Sequence, residues 1–98
     1  MIEVRETAIF SKCLAKLRDG TATLHITRRI QRMANGNPGD SKSVGSGVNE
    51  MRIDCRPGYR VYYMWRGSTL VVLLCGGDKA TQDKDVKRAK ELAGELED

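Results

Sequence analysis

The chain has 98 residues, 40% of them hydrophobic and 31% charged, with a formal net charge of +4. That length suits one domain spanning residues 1–98, and this balance of apolar and charged groups excludes wholesale disorder. The longest apolar run, residues 70–75, falls far short of the roughly 20 residues that cross a membrane.

A short strand-like piece, residues 2–5, opens the chain. The period then changes at Thr7, a plausible N-cap. Phe10, Cys13, Leu14 and Leu17 recur at three and four residues, predicting an amphipathic helix that ends near Asp19-Gly20. A second helix fits residues 21–35, with Ile26, Ile30 and Met33 on its inner stripe and Arg28, Arg29 and Arg32 on or beside the outer face. The short connection predicts an antiparallel helical hairpin. Residues 35–40 (NGNPGD) cannot continue a helix and are read as a loop.

Beyond that loop the period falls to two. In residues 50–55 apolar side chains alternate with charged ones, which describes a strand with one wet face. Arg56-Pro57-Gly58 turns the chain into a second strand, residues 59–65, whose Tyr59, Val61, Tyr63 and Trp65 point toward the core. Gly67-Ser68 turns it again. Residues 70–75 lack polar alternation and read as a buried central strand, ended by Gly76-Gly77-Asp78. A last helix covers residues 81–96, with Val86, Ala89, Ala93 and Leu96 on its stripe. The order β-α-α-β-β-β-α predicts an α+β fold in which helices pack on one face of a small, mostly antiparallel sheet.

The charge is uneven: residues 1–39 carry 7 Lys/Arg against 3 Asp/Glu, whereas residues 80–98 carry 4 against 6. A basic body with an acidic tail suits a polyanionic partner such as RNA or DNA. Cys13, Cys55 and Cys75 are an odd set without CxxC spacing, beside a single histidine, His25. They argue against a disulfide framework or a four-ligand zinc site and point to a reducing cytosol. No apolar stretch with a small-residue cleavage site stands at the N-terminus to direct export. Gly76-Gly77-Asp78-Lys79 lacks the spacing and the Ser/Thr of a Walker motif, and no cofactor is expected.

Period two collects Glu50, Arg52 and Asp54 on one side of the first strand, and Arg60 and Tyr62 on one side of the next. If those sides adjoin, two arginines, a carboxylate and a phenol form a phosphate-handling surface. The alternative is a set of cross-strand salt bridges on a solvated sheet. Tyr62 is the aromatic placed to stack a base. Lys42 lies at the mouth of the first hairpin, and Lys79 and Gln82 follow the central strand.

In order, the runs GDSKSVG (39–45), GVNEMRI (47–53), GYRVYY (58–63) and GGDKATQ (76–82) resemble the RelE/ParE toxin superfamily. More narrowly, they resemble its HigB-like addiction-module killer proteins, related to phage-derived Gp49 proteins. The resemblance covers nearly the whole chain. It implies a RelE-like, microbial-RNase-type fold and the toxin of a type II toxin–antitoxin system. Such toxins cut mRNA on the ribosome without metal; ParE-like relatives instead inhibit DNA gyrase. Their partners are a helix-turn-helix, HigA-like antitoxin and, through that complex, operator DNA. By position the resemblance gives Arg60 a transition-state role, Arg52 a basic strand position and Lys79 a phosphate contact. Glu50 or Tyr62 is left as the base, and Lys42, Gln82 and Arg56 as substrate contacts. Arginine itself cannot be the base, because it keeps its proton in proteins. The last segment, residues 79–98, departs from the pattern in having neither His nor Tyr.

Overall fold

The computed structural model describes residues 2–96. Its elements are β1 (Glu3–Glu6), α1 (Ala8–Ala15), α2 (Gly20–Ala34), β2 (Ser41–Gly45), β3 (Val48–Arg52), β4 (Arg60–Arg66), β5 (Leu70–Gly77), a 3-10 turn (Lys79–Thr81) and α3 (Gln82–Leu96). One sheet runs in the order β1-β5-β4-β3-β2; β1 lies parallel to β5 and every other pairing is antiparallel.

The helix starts follow from their caps. Thr7 accepts a hydrogen bond from the Phe10 N–H at 3.1 Å, while its hydroxyl donates to the Leu74 carbonyl at 2.9 Å. One side chain thus starts α1 and fastens it to β5. Asp19 caps α2 by accepting from the N–H groups of Thr21 and Ala22. α1 stops at Ala15, a turn before the expected end near Asp19-Gly20.

The α+β class holds, and the architecture agrees with a RelE-like arrangement, with two corrections. First, Ser41–Gly45, for which the predicted order holds no strand, forms a fifth one. It pairs with β3 through a tight turn in which Ser46 and Gly47 both have positive φ, the geometry that matches strand twist in a two-residue hairpin. Its only apolar side chain is Val44, so it carries no hydrophobic alternation to read. Second, the helices cover both faces. Phe10, Ile26 and Met33 from α1 and α2 pack on Met51, Val61, Tyr63, Val71 and Leu73. On the other face Ala89 and Ala93 of α3 pack on Val48, Tyr62, Met64, Val72, Leu74 and Cys75. The small alanines let α3 approach the strands closely, and close packing needs that fit.

A shift in the β4–β5 register between Tyr62 and Tyr63 leaves Leu74 without a partner, so Leu74 and Cys75 both face α3. Trp65, expected in the core, lies at the end of β4 and is 36% exposed, whereas Tyr63 is buried as expected.

Candidate phosphate-binding site

The sheet register builds the site. Across β2, β3, β4 and β5, Lys42 stands opposite Glu50, Glu50 opposite Tyr62, and Tyr62 opposite Cys75; two residues along, Arg52 stands opposite Arg60 and Arg60 opposite Gly77. The side sets of β3 and β4 therefore do adjoin. What period two leaves open is that α3 covers half of them. Glu50 and Tyr62 are both 0% exposed, and the Arg60 side chain is 10% exposed.

Glu50 is the hub. Its Oε2 accepts from the Tyr62 hydroxyl at 3.1 Å and from Gln82 Nε2 at 2.9 Å, and faces Arg60 Nε at 3.6 Å. Glu50 Oε1 and Arg60 Nε make no hydrogen bond. Arg60 Nη1 donates to the Gly58 carbonyl at 2.9 Å, which holds the guanidinium against the turn before β4. Burial, and after it the neighbouring Glu50 carboxylate, pushes the Tyr62 phenol far above its ordinary range, so it stays protonated as a donor. Two expectations are corrected here. Tyr62 cannot stack a base, because no part of its ring meets solvent. Glu50 and Tyr62, the expected bases, are both fully buried and bonded to each other, and the Glu50 carboxylate faces Arg60 rather than solvent. Gln82, expected to touch substrate, spends its amide on Glu50.

The exposed end of the site is a depression of about 410 Å³ lined by Asp40, Arg52, Asp54, Gly58, Tyr59 and Arg60. Arg52 is half-exposed, with Asp40 Oδ1 at 3.7 Å from its Nε. Lys79 adjoins: a Cβ on Gly58 would lie 3.6 Å from Lys79 Cβ and 3.7 Å from Arg60 Nη1. Lys79 stands there because the Asp78 carboxylate caps the 3-10 turn, accepting from the N–H groups of Ala80 and Thr81. A Cβ on Gly77 before it would overlap the Asp85 carboxylate, which would have to swing aside. Lys42 is exposed on the edge strand, and Arg56 is exposed in the turn beside Pro57; neither lines the depression.

Three residues gain parts that the sequence pattern did not assign. Tyr59, assigned to the core by its phase, lines both the depression and an apolar cavity of about 160 Å³ under α1. Burial, then the Asp19 carboxylate, raises its phenol above the ordinary value. Asp54 reaches the same rim and forms no ion pair among the described residues. Arg29, placed on or beside the outer face, turns to the loop before β2. It donates to the carbonyls of Arg52, Pro38 and Asp40, and burial followed by nearby Arg32 lowers its pKa. The cue for Arg29 was its place one helical turn before Met33, beside the core stripe.

Among the described residues no group of three or more His, Cys, Asp and Glu is arranged to hold a metal, and no helix is long and apolar enough to cross a membrane. The chain is 52% identical over 95 residues to an uncharacterized protein of Haemophilus influenzae, a match that spans 97% of this chain and 96% of that protein. Residues 13–96, which include every strand but β1 and every charged residue of the site, match the phage-derived Gp49-like protein family (DUF891). The chain therefore belongs to the Gp49-like family, a family of toxin-like addiction-module proteins.

Proposed function

We propose that this protein is the toxin of a toxin–antitoxin pair, an endoribonuclease that cuts mRNA on the ribosome in the cytoplasm. In this reading a helix-turn-helix antitoxin covers the basic rim, and the complex binds operator DNA. The observation that carries the reading is the Arg52–Arg60 pair. Like charges directly opposite on neighbouring strands are unfavourable, yet here two guanidinium groups share a register position, each facing a single carboxylate at 3.6–3.7 Å, with Lys79 beside them as a third cation. A phosphodiester in the depression offsets that repulsion and accepts bidentate hydrogen bonds.

The chemistry then follows from who lines the rim. A ribose 2′-oxygen attacks the adjacent phosphorus and the P–O5′ bond breaks, leaving a 2′,3′-cyclic phosphate and a 5′-hydroxyl. Arg52, Arg60 and Lys79 stabilise the charge that builds on the phosphorane oxygens. Asp54, free of an ion pair, accepts the 2′-hydroxyl proton. Tyr59, a phenol on the same rim, supplies a proton to the departing 5′-oxygen. The buried Glu50–Tyr62 pair, joined by half-buried Gln82, fixes Arg60 in advance, so no reorganisation is needed when charge develops.

The test is expression in growing cells, with mapping of mRNA 5′ ends. Growth arrest with cuts inside translated codons is expected, and Arg52→Ala with Lys79→Ala should lower cutting at least about 100-fold while leaving the circular dichroism spectrum unchanged. Loss of DNA supercoiling without such cuts would assign gyrase as the target and refute the proposal. So would tight operator binding with the antitoxin and no growth arrest.

A further inference from the structure

A second cationic surface lies away from the reacting centre. α1 and α3 both pack against β5, and between them runs a groove with Cys75 and Gly76 at its floor. Lys12 and Lys16 rise from the α1 side and Arg88 from the α3 side; an adjoining depression adds Lys84 and Lys87. The two hollows measure about 300 and 550 Å³. All five cations are exposed, and none takes part in the three ion pairs found among the described residues. The one carboxylate in the nearer hollow, Asp85, accepts the Thr81 hydroxyl; Glu91 and Glu95 line the other hollow with Lys84, Lys87 and Arg88.

We infer that this groove binds the sugar-phosphate backbone of the RNA strand that flanks the cut, a polyanion contact additional to the reacting centre. Five cations on or at the end of two helices, unpaired among the described residues and outnumbering the three carboxylates that line the same hollows, raise a field that suits a multiply charged anion. Lys12 and Lys16, and Lys84 and Arg88, are each four residues apart on one helix face, so each helix presents a stepped pair of charges to successive phosphates. The groove adjoins the site. Cys13 and Gly76, joined by the hydrogen bond that the Cys13 thiol donates to the Gly76 carbonyl at 3.2 Å, line both this groove and the apolar cavity that Tyr59 and Arg60 also line, so one layer of residues separates the groove from Arg60. An acidic amphipathic helix fits it less well, since such a helix needs an apolar trough and Ile9 and Leu92 are the only large apolar residues lining these two hollows.

The inference rests on the ribonuclease reading for the identity of the strand, and its test separates the two. The probe is a fluorescein-labelled 12-nucleotide 2′-O-methyl RNA, which lacks the attacking hydroxyl and stays intact. Its anisotropy is titrated with the full chain between 50 and 200 mM salt. Lys12→Ala with Lys16→Ala and Arg88→Ala should lower the slope of log affinity against log salt by about 2, at about 0.7 per lost contact on a single strand, with at least a tenfold weaker affinity at 100 mM. The control, Arg18→Ala with Arg28→Ala and Arg66→Ala, removes the same charge elsewhere and should leave the slope within about 0.5 of the parent. Indistinguishable triple variants would overturn the inference. Unchanged RNA binding with lost binding of a poly-glutamate peptide would also overturn it, in favour of an acidic protein partner. If the groove variant loses RNA while Arg52→Ala with Lys79→Ala still cuts mRNA, the groove stands and the catalytic assignment falls.

Discussion

Replacing Glu50 by Gln probes the centre of the site with little change in shape. The glutamine keeps one acceptor oxygen for Tyr62 or Gln82, whose donors lie 3.1 and 2.9 Å from the native Oε2, but it removes the negative charge 3.6 Å from Arg60 Nε. The Arg60 guanidinium, 10% exposed, is then left with the Gly58 carbonyl as its remaining polar partner. Breaking a buried ion pair by removing one member costs about 3–5 kcal/mol, because the other charge stays desolvated. A domain of this size holds about 5–15 kcal/mol in total, so the variant folds but weakly. At about 4–8 °C per kcal/mol, its melting temperature should fall by at least about 12 °C in a circular dichroism melt. Adding Arg60→Gln removes the orphaned charge, so the double variant should lose about 2 kcal/mol less than the two single losses together. A fall under about 3 °C for Glu50→Gln, or strict additivity in the double variant, would show that solvent or local rearrangement screens Arg60. The reasoning from burial would then be wrong.

Two further perturbations follow from the same physics. Burial, then the Asp85 carboxylate, pushes the Cys75 thiol up to about 12, and the Tyr62 phenol is raised further. Both are protonated in the folded chain and ionise at lower pH once unfolded, so their stabilisation is complete below pH 9 and is lost as pH rises. Urea melts should lose about 1.4 kcal/mol per pH unit above pH 9, and a steeper amount above pH 10; Cys75→Ala should abolish the first phase, and a flat profile to pH 11 would contradict the assignment. Arg29→Ala removes the donor to three loop and strand carbonyls and should cost about 2 kcal/mol. Because one of those carbonyls belongs to Arg52, hydrogen exchange of the β2–β3 edge should accelerate while the β4–β5 pair stays protected.

Much of the fold was legible because its causes are local. The cap at Thr7, the stripe Ile26–Ile30–Met33, the unbroken apolar strand before Gly76-Gly77 and the phase of Val86, Ala89 and Ala93 each depend on residues within a turn or two. β2 was not legible because an edge strand with Val44 as its one apolar side chain is held by backbone hydrogen bonds to β3 and shows no hydrophobic alternation. For the site, period two placed Glu50, Arg52, Arg60 and Tyr62 on common sides, and the register brought those sides together. It left no trace of which members would be covered.

Side-chain alternation and capping are set by the chain's own neighbours, so the sequence alone determined the helices, the central strands and the basic character of this face. Whether a charged residue on that face meets water depends on a helix more than twenty residues away. Only the tertiary structure made Glu50 a buried anchor, Tyr62 its donor and Arg60 a guanidinium held ready at the rim, because α3 settles over half of the row and leaves Arg52 and Lys79 outside it.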